Sequence, residues 1–434
     1  MDAGSASFIV LLILIAFLAS GTTIFISILC VCVVSLAIFL DFDLHRIGVT
    51  MSRIMIRASS SWELSAIPLF LWMGEIVYKS SLIDQLFRGL IPFLRHLPGG
   101  LLHTNVVGSA MFAAVSGSSA ATTATIGKIM LGELDKRGYD KRLAVGSLAG
   151  AGTLGLLIPP SIIMIIYGLL AEVSIIKLFA AGIFPGLLIA LLYSAYISVC
   201  SAVDKNLAPI AEADGATLLS GIWDLGPIFA LIVLVLGTIY SGYATPSESA
   251  AIGVAGALFL ITIRGELSFS LIKESLYGAV STACMICTLL AAAGFLSTTM
   301  GFLHIPQDVA TFIGSLDLSP LGLIFVLSLF YMLLGLLLDG ISITVMTLPI
   351  TLPLILAAGI DPLWFGIFLV IMVELGQMTP PVGFNLFIIH GMSGIDILTI
   401  AKSAFPFFLL MCLAAILITF LPNIALWLPS ELYS

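Results

Sequence analysis

Charge is what this 434-residue chain has least of. Asp, Glu, Lys and Arg together make up 9% of it, against about 25% in an ordinary soluble domain. That scarcity excludes a globular protein with a solvated surface. The 16 Lys and Arg residues form no basic face, so no nucleic-acid partner is expected. None of them precedes Arg46. The basic start of a secretory signal peptide is therefore missing, and the first apolar run is expected to be retained. Histidine is also scarce: five are scattered along the chain, with no HExxH and no Gly-x-Ser-x-Gly. An intramembrane hydrolase would need such a nucleophile–base or metal set, so the chain is not expected to be an enzyme. His103 and His390 are single and read as structural. The six cysteines (Cys30, Cys32, Cys200, Cys284, Cys287 and Cys412) lie in or beside apolar segments. Cys284 and Cys287 have CxxC spacing, but no second pair or nearby histidine follows. They read as small apolar helix residues, and no transition-metal site is expected.

What the chain has instead is apolar length. Hydrophobic residues make up 60% of it, in runs such as Phe8–Leu40, Ile228–Ile239 and Leu321–Leu338. About 20 helical residues cross a hydrocarbon layer of about 30 Å, and a β-barrel would need short alternating segments. The reading is an all-α polytopic membrane protein.

Polar breaks divide the chain. Residues 201–223 belong to its longest polar stretch and read as a linker between residues 1–200 and 224–434. The two parts share an order of features. "SGSSAATTAT" (Ser116–Thr125) and "LDGIS" (Leu338–Ser342) are small polar turns. Each is followed by an apolar stretch, a loop, another apolar stretch and a diproline, in "GTLGLLIPPS" (Gly152–Ser161) and "GQMTPPVGFN" (Gly376–Asn385). Gly117 and Pro159 are 42 positions apart, Gly340 and Pro380 are 40 apart. This pattern reads as an internal duplication. The expected elements are spans at 8–20, 23–40 and 62–80, a hairpin at 98–134, a broken helix at 141–172 and a span at 178–200. The second copy has its hairpin at 319–358 and its broken helix at 361–390.

Charge orients the copies. The loop after the first hairpin carries Lys136, Arg137, Lys141 and Arg142, whereas its counterpart "AAGIDPLWFG" carries none. The positive-inside bias then makes the copies inverted. In this topology eleven Lys and Arg residues fall on the cytoplasmic side and four outside. Arg46, Arg53 and Arg57 are on the unexpected side, which implies a surface helix or a miscounted first span. Inverted repeats with broken helices are a secondary-transporter construction.

Prolines cannot continue a helix, and broken spans expose carbonyl oxygens and helix N-termini. If each hairpin tip packs against the break in its own half, two oxygen-lined pockets result, suited to sodium. Their expected ligands are Gly117, Ser118, Ser119, Gly152, Thr153 and Gly155 in the first half, and Gly340, Ser342, Gly376 and Thr379 in the second. A carboxylate substrate is expected at Ser116, Ser119, Thr123, Pro160 and Asn385. Small residues in the first turn could equally be a helix-packing surface. Asp339 reads equally as an ion site or a helix cap, and Glu374 as an interior-facing acid with a functional role. Thr245–Glu248 reads as a helix start.

"SGSSAATTATIG", "GTLGLLIPPS", "ATPSESAAIG" and "GQMTPPVGFNLF" resemble the large membrane subunit of tripartite ATP-independent periplasmic (TRAP) transporters, over nearly the whole chain. The resemblance implies two re-entrant hairpins, elevator motion, and sodium-driven uptake of a small organic acid such as a C4-dicarboxylate or sialic acid. It implies a soluble periplasmic binding protein, a small four-helix membrane subunit and the bacterial inner membrane, with sodium as coupling ion and no cofactor. It places sodium at Gly117–Ser119 with Gly152–Gly155, and at Gly340–Ser342 with Gly376–Thr379. Alternatives are a standalone symporter or ion antiporter of the same superfamily, and a non-transporting scaffold subunit.

Overall fold

The computed structural model describes residues 20–209, 217–314, 318–336, 338–380 and 383–433, with Ile9, Val10, Leu12, Ile13, Ala16 and Phe17 before them. Six of the thirteen residues of the expected span at 8–20 lie outside the described residues, and so does Pro381. All regular structure among the described residues is helical. Among the described residues, six helices are long and apolar enough to cross a membrane, or up to eight if each of two bent pairs counts as one span.

The first such pair follows two shorter helices. Helix α1 (Ile24–Leu40) leads to α2 (Leu44–Ser59), which Asp43 caps at Arg46 N, 2.7 Å. Then α3 (Ala66–Lys79) bends by 70° into α4 (Leu82–Leu94). Residues 62–80 were expected as one span, and its end is correct. The 82–94 helix had no counterpart in the sequence reading, because its 13 residues are too short to register as a span. The arginines of α2 sit on a separate amphipathic helix, as the surface-helix reading expects.

The first hairpin is α5 (Leu102–Ser116) and α6 (Ser119–Lys136). The first broken helix is α7 (Lys141–Gly152), a short turn α8 (Leu154–Leu157), and α9 (Ile162–Ala171), bent by 40° across the Pro159–Pro160 break. Helix α10 (Ile175–Val203) closes this half. The frame continues with α11 (Leu218–Tyr240), α12 (Pro246–Ile263), α13 (Phe269–Phe302) and α14 (Ile305–Gly314). Thr245 and Glu248 form the capping box expected at the start of α12, with Thr245 N donating to Glu248 at 2.8 Å. The second hairpin is α15 (Pro320–Gly335) and α16 (Gly340–Ala357). It leads to α17 (Pro362–Gln377), α18 (Phe384–Ser393), α19 (Ile397–Phe420) and α20 (Asn423–Leu432).

Packing groups these helices into two sets. Frame helices pack on one another: α3 on α12 and α13, α4 on α11, and α1 and α2 on α13. The hairpins and broken helices interlock across the halves. Helix α6 packs on α18, α9 on α16, and α7 on α19. An apolar gap of about 470 Å³ lies where α5 and α10 face α11, lined by Ala110, Met111, Leu187, Leu191 and Phe229.

The loops gather at two ends. One end joins Ser81 to Glu266 (2.9 Å), Leu101 to Tyr139 (3.2 Å) and Asp140 to Leu207 (3.0 Å). It carries Lys79, Lys136, Arg137, Lys141, Lys205 and Arg264. The other end joins Trp62 to Ser247 (3.3 Å), Tyr167 to Pro362 (2.6 Å) and Lys177 to Tyr433 (3.5 Å).

Candidate ion and anion site

The first tip is built by three adjacent residues with different tasks. Gly117 ends α5 in the left-handed conformation, φ +60°, which costs glycine little. A Cβ there would lie 2.7 Å from the Pro160 carbonyl oxygen. Ser118 caps α6 by accepting from Ala121 N at 3.3 Å. Ser119 is then the first residue of α6 and is buried. Ile162 N, at the start of α9, donates to Gly117 O at 3.3 Å. The tip and the first break are thus hydrogen-bonded to one another, and the N-termini of α6 and α9 meet there. Ser161 caps α9 by accepting from Met164 N at 3.4 Å.

Ser119 is the hub of the site. Its Oγ lies 2.9 Å from Gly152 O, 3.0 Å from Glu374 Oε2 and 2.9 Å from Asn385 Nδ2, which donates to it. A hydroxyl has one proton, so it can satisfy only one of those two acceptors. Three more oxygens here are buried and unpartnered: Thr123 Oγ1, Glu374 Oε1 and Asn385 Oδ1. Gly152 and Gly155 allow the close approach. A Cβ on Gly155 would lie 2.6 Å from Ser119 Cα, and one on Gly152 would overlap Thr123 Oγ1. Orphaned buried polar atoms cost about 1–3 kcal/mol each, so a cluster of three favours a partner of complementary chemistry.

The second tip differs. Asp339 caps α16, accepting from Ile341 N at 3.1 Å and Ser342 N at 3.3 Å, and Ser342 Oγ bonds its carboxylate. Of the two readings weighed for Asp339, the cap is the one seen. The Thr379 hydroxyl donates to Leu375 O at 2.6 Å. Gly340 lies against Val373 and Gln377 of α17 and against Ile163 of α9. Gly335 and Gly376 touch backbone to backbone.

Not every expected residue joins the cluster. Ser119, Thr123, Gly152, Gly155 and Asn385 come together, with Gly117, Ser118 and Pro160 beside them. Ser116 turns to Thr122 Oγ1 at 3.2 Å. Thr153 donates to Gly150 O at 2.6 Å and faces Tyr193 OH. Expecting each tip to meet only its own half missed half of the geometry, because Ser119 binds Glu374 and Asn385 of the other half. Glu374 was flagged as an intramembrane acid able to neutralise sodium or relay protons, but was not placed in either pocket. Gln377, buried with its Oε1 unpartnered, had no signal in the sequence.

The profile of the tripartite ATP-independent periplasmic transporter DctM component matches residues 11–424. The chain belongs to this family. As a TRAP large permease it is a multi-pass protein of the bacterial inner membrane and one component of a tripartite solute transporter. It is 32% identical over 382 residues to the C4-dicarboxylate TRAP transporter large permease protein DctM of Pseudomonas aeruginosa, covering 87% of this chain and 88% of that one. It is 30% identical over 377 residues to the isethionate TRAP transporter permease protein DctMQ of Oleidesulfovibrio alaskensis, covering 87% of this chain and 59% of the relative. The solved Alcanivorax borkumensis YdaH transporter shares the fold, with TM-score 0.61 at 13% identity, covering 87% of this chain and 90% of that one.

Proposed function

We propose that this TRAP permease takes up a small organic anion into the cytoplasm, driven by sodium, with the substrate delivered by a periplasmic binding protein and a small membrane subunit completing the assembly. The observation that carries this reading is the Ser119 hub. Buried oxygens of Thr123, Glu374 and Asn385 surround it without partners, and hard cations take oxygen ligands. A sodium ion there would satisfy them, drawing also on the backbone at Gly117, Ser118, Gly152, Thr153 and Gly155. We place a second ion at Gly340, Ser342, Gly376 and Thr379, where the oxygens are engaged within their own helices. The N-termini of α6, α9 and α18 favour the anion, beside Ser116, Ser119, Thr123, Pro160 and Asn385. Relatives of nearly equal identity are named for a C4-dicarboxylate and for isethionate. Their shared chemistry is a small anion.

The charged end, with Lys136, Arg137, Lys141 and Arg142, is the cytoplasmic one on this reading, and the two halves are inverted repeats. Interlocked hairpins and broken helices would move as one body against the frame, with the apolar gap facing α11 as the sliding surface. A ligand shifts such an equilibrium only by its differential affinity, so sodium must order the tip before the anion site is complete.

The test is uptake of labelled succinate and isethionate into proteoliposomes holding the assembled permease, under an inward sodium gradient against potassium. Uptake of either that needs both sodium and the binding protein is the expected result. Sodium-dependent uptake without the binding protein would favour the standalone symporter, and uptake indifferent to sodium would remove the ion sites.

A further inference from the structure

Helix α2 carries a feature that the transport reading does not use. Arg46, Arg53 and Arg57 are spaced seven and four residues apart, which places them within about 40° of one another around a helix. All three are exposed. No carboxylate among the described residues pairs with any of them. Arg46 is held in place, its guanidinium 3.6 Å above the Phe42 ring, which itself packs edge-on against Phe302.

The rest of the helix says where it lies. Its apolar face is anchored to the frame: Ile47 is buried, and Ile54 and Ala58 lie against Gly294 of α13. The 34 residues of α13 are about 51 Å long, well beyond the hydrocarbon layer. Helix α2 crosses it in its last turns, at Gly294 and Phe302, and a helix of this length has room for those turns in the headgroup zone. Leu44, Val49 and Ile56 of α2 remain exposed, as do Trp62 and Tyr243 at the same end. Large aliphatic and aromatic groups left exposed beside a basic stripe suit the boundary between water and acyl chains.

We propose that Arg46, Arg53 and Arg57 bind the phosphate of an anionic phospholipid, with Val49 and Ile56, on the flank of the arginine stripe, seated among the acyl chains. Guanidinium forks pair with phosphate bidentately, and each basic group at an anionic membrane surface contributes about 1 kcal/mol. Because α2 packs on α13, and α13 on α3 and on α16 of the second hairpin, the lipid would fix the frame against which the second hairpin moves. The inference needs only that the chain sits in a bilayer, and is independent of the substrate and coupling ion.

The experiment compares the assembled permease and its Arg46→Gln/Arg53→Gln/Arg57→Gln variant in phosphatidylcholine vesicles with and without phosphatidylglycerol. Two quantities are read: the lipid retained through purification, by native mass spectrometry, and the unfolding temperature. The wild type should retain phosphatidylglycerol and melt several degrees higher in its presence. The variant should lose both effects, with retention falling about fivefold or more for each arginine removed. Arg53→Gln/Arg57→Gln, which spares the stacked Arg46, gives the same readout should the triple variant not reach the membrane. A lipid response equal in wild type and variant overturns the proposal. So does unchanged lipid retention with weakened dependence of uptake on the binding protein, which would assign the stripe to that protein.

Discussion

The two hairpin tips start from similar sequences and end in different states. At the first, Gly117 accepts from Ile162 N, and Ser119 reaches Gly152, Glu374 and Asn385. At the second, Asp339 and Ser342 satisfy each other. The helices behind them differ in the same sense. Most of α5 is buried, whereas α15 exposes Leu321, Phe325, Leu329 and Leu333. The first tip is fastened into the body and leaves oxygens unpartnered. The second is capped by its own residues and leaves an apolar face exposed along its first arm. A duplicated motif can thus keep its order while its copies differ, and on the proposed reading the first tip carries the larger share of ion binding.

That contrast is open to mutation. The largest effect is expected from Gly155→Val, because the new Cβ would meet the Ser119 backbone 2.6 Å away. Uptake should vanish while the protein is still found in the membrane, and surface-labelled expression against transport checks this. Gly340→Val at the second tip meets side chains of Val373, Ile163 and Gln377, which can shift, so part of the uptake should survive. Next comes Ser119→Ala. It strands Asn385 Nδ2 and whichever of Gly152 O and Glu374 Oε2 the hydroxyl served, at about 1–3 kcal/mol per orphaned group. The sodium concentration for half-maximal uptake should rise by about tenfold to a hundredfold.

Smaller effects belong to the second tip. Asp339→Ala removes a helix cap, worth about 1 kcal/mol, and should lower the melting temperature with sodium affinity changed little. Ser342→Ala leaves the cap bonds to backbone intact and should change half-maximal sodium less than Asp339→Ala changes stability. Smallest is Tyr331→Phe, which removes a hydroxyl 3.0 Å from Thr351 across the second hairpin. A loss of about 0.5–1.5 kcal/mol in thermal unfolding is expected. A larger sodium effect from Ser342→Ala than from Ser119→Ala would reverse the assignment of the tips.

Much of this was legible in the sequence, for identifiable reasons. Proline and glycine act locally, so the breaks at Pro159–Pro160 and Gly376–Pro380 and the turn at Gly117 could be read directly. Thr245 and Glu248 form a local cap and were equally plain. The partner of Ser119 was not legible, since Glu374 lies 255 positions away and only the interlocking of the halves brings it near. The self-capping of Asp339 and Ser342 depends on a rotamer, which spacing does not encode. Gln377 resembles any polar residue beside a break until its burial is known.

The most direct test of the central claim needs no knowledge of the substrate. It is the shift in unfolding temperature when sodium replaces potassium at constant ionic strength, for the wild type, Ser119→Ala and Ser342→Ala. The account predicts stabilisation by sodium in the wild type, most of it kept in Ser342→Ala and lost in Ser119→Ala. Full sodium stabilisation in Ser119→Ala, or none in the wild type, would contradict it.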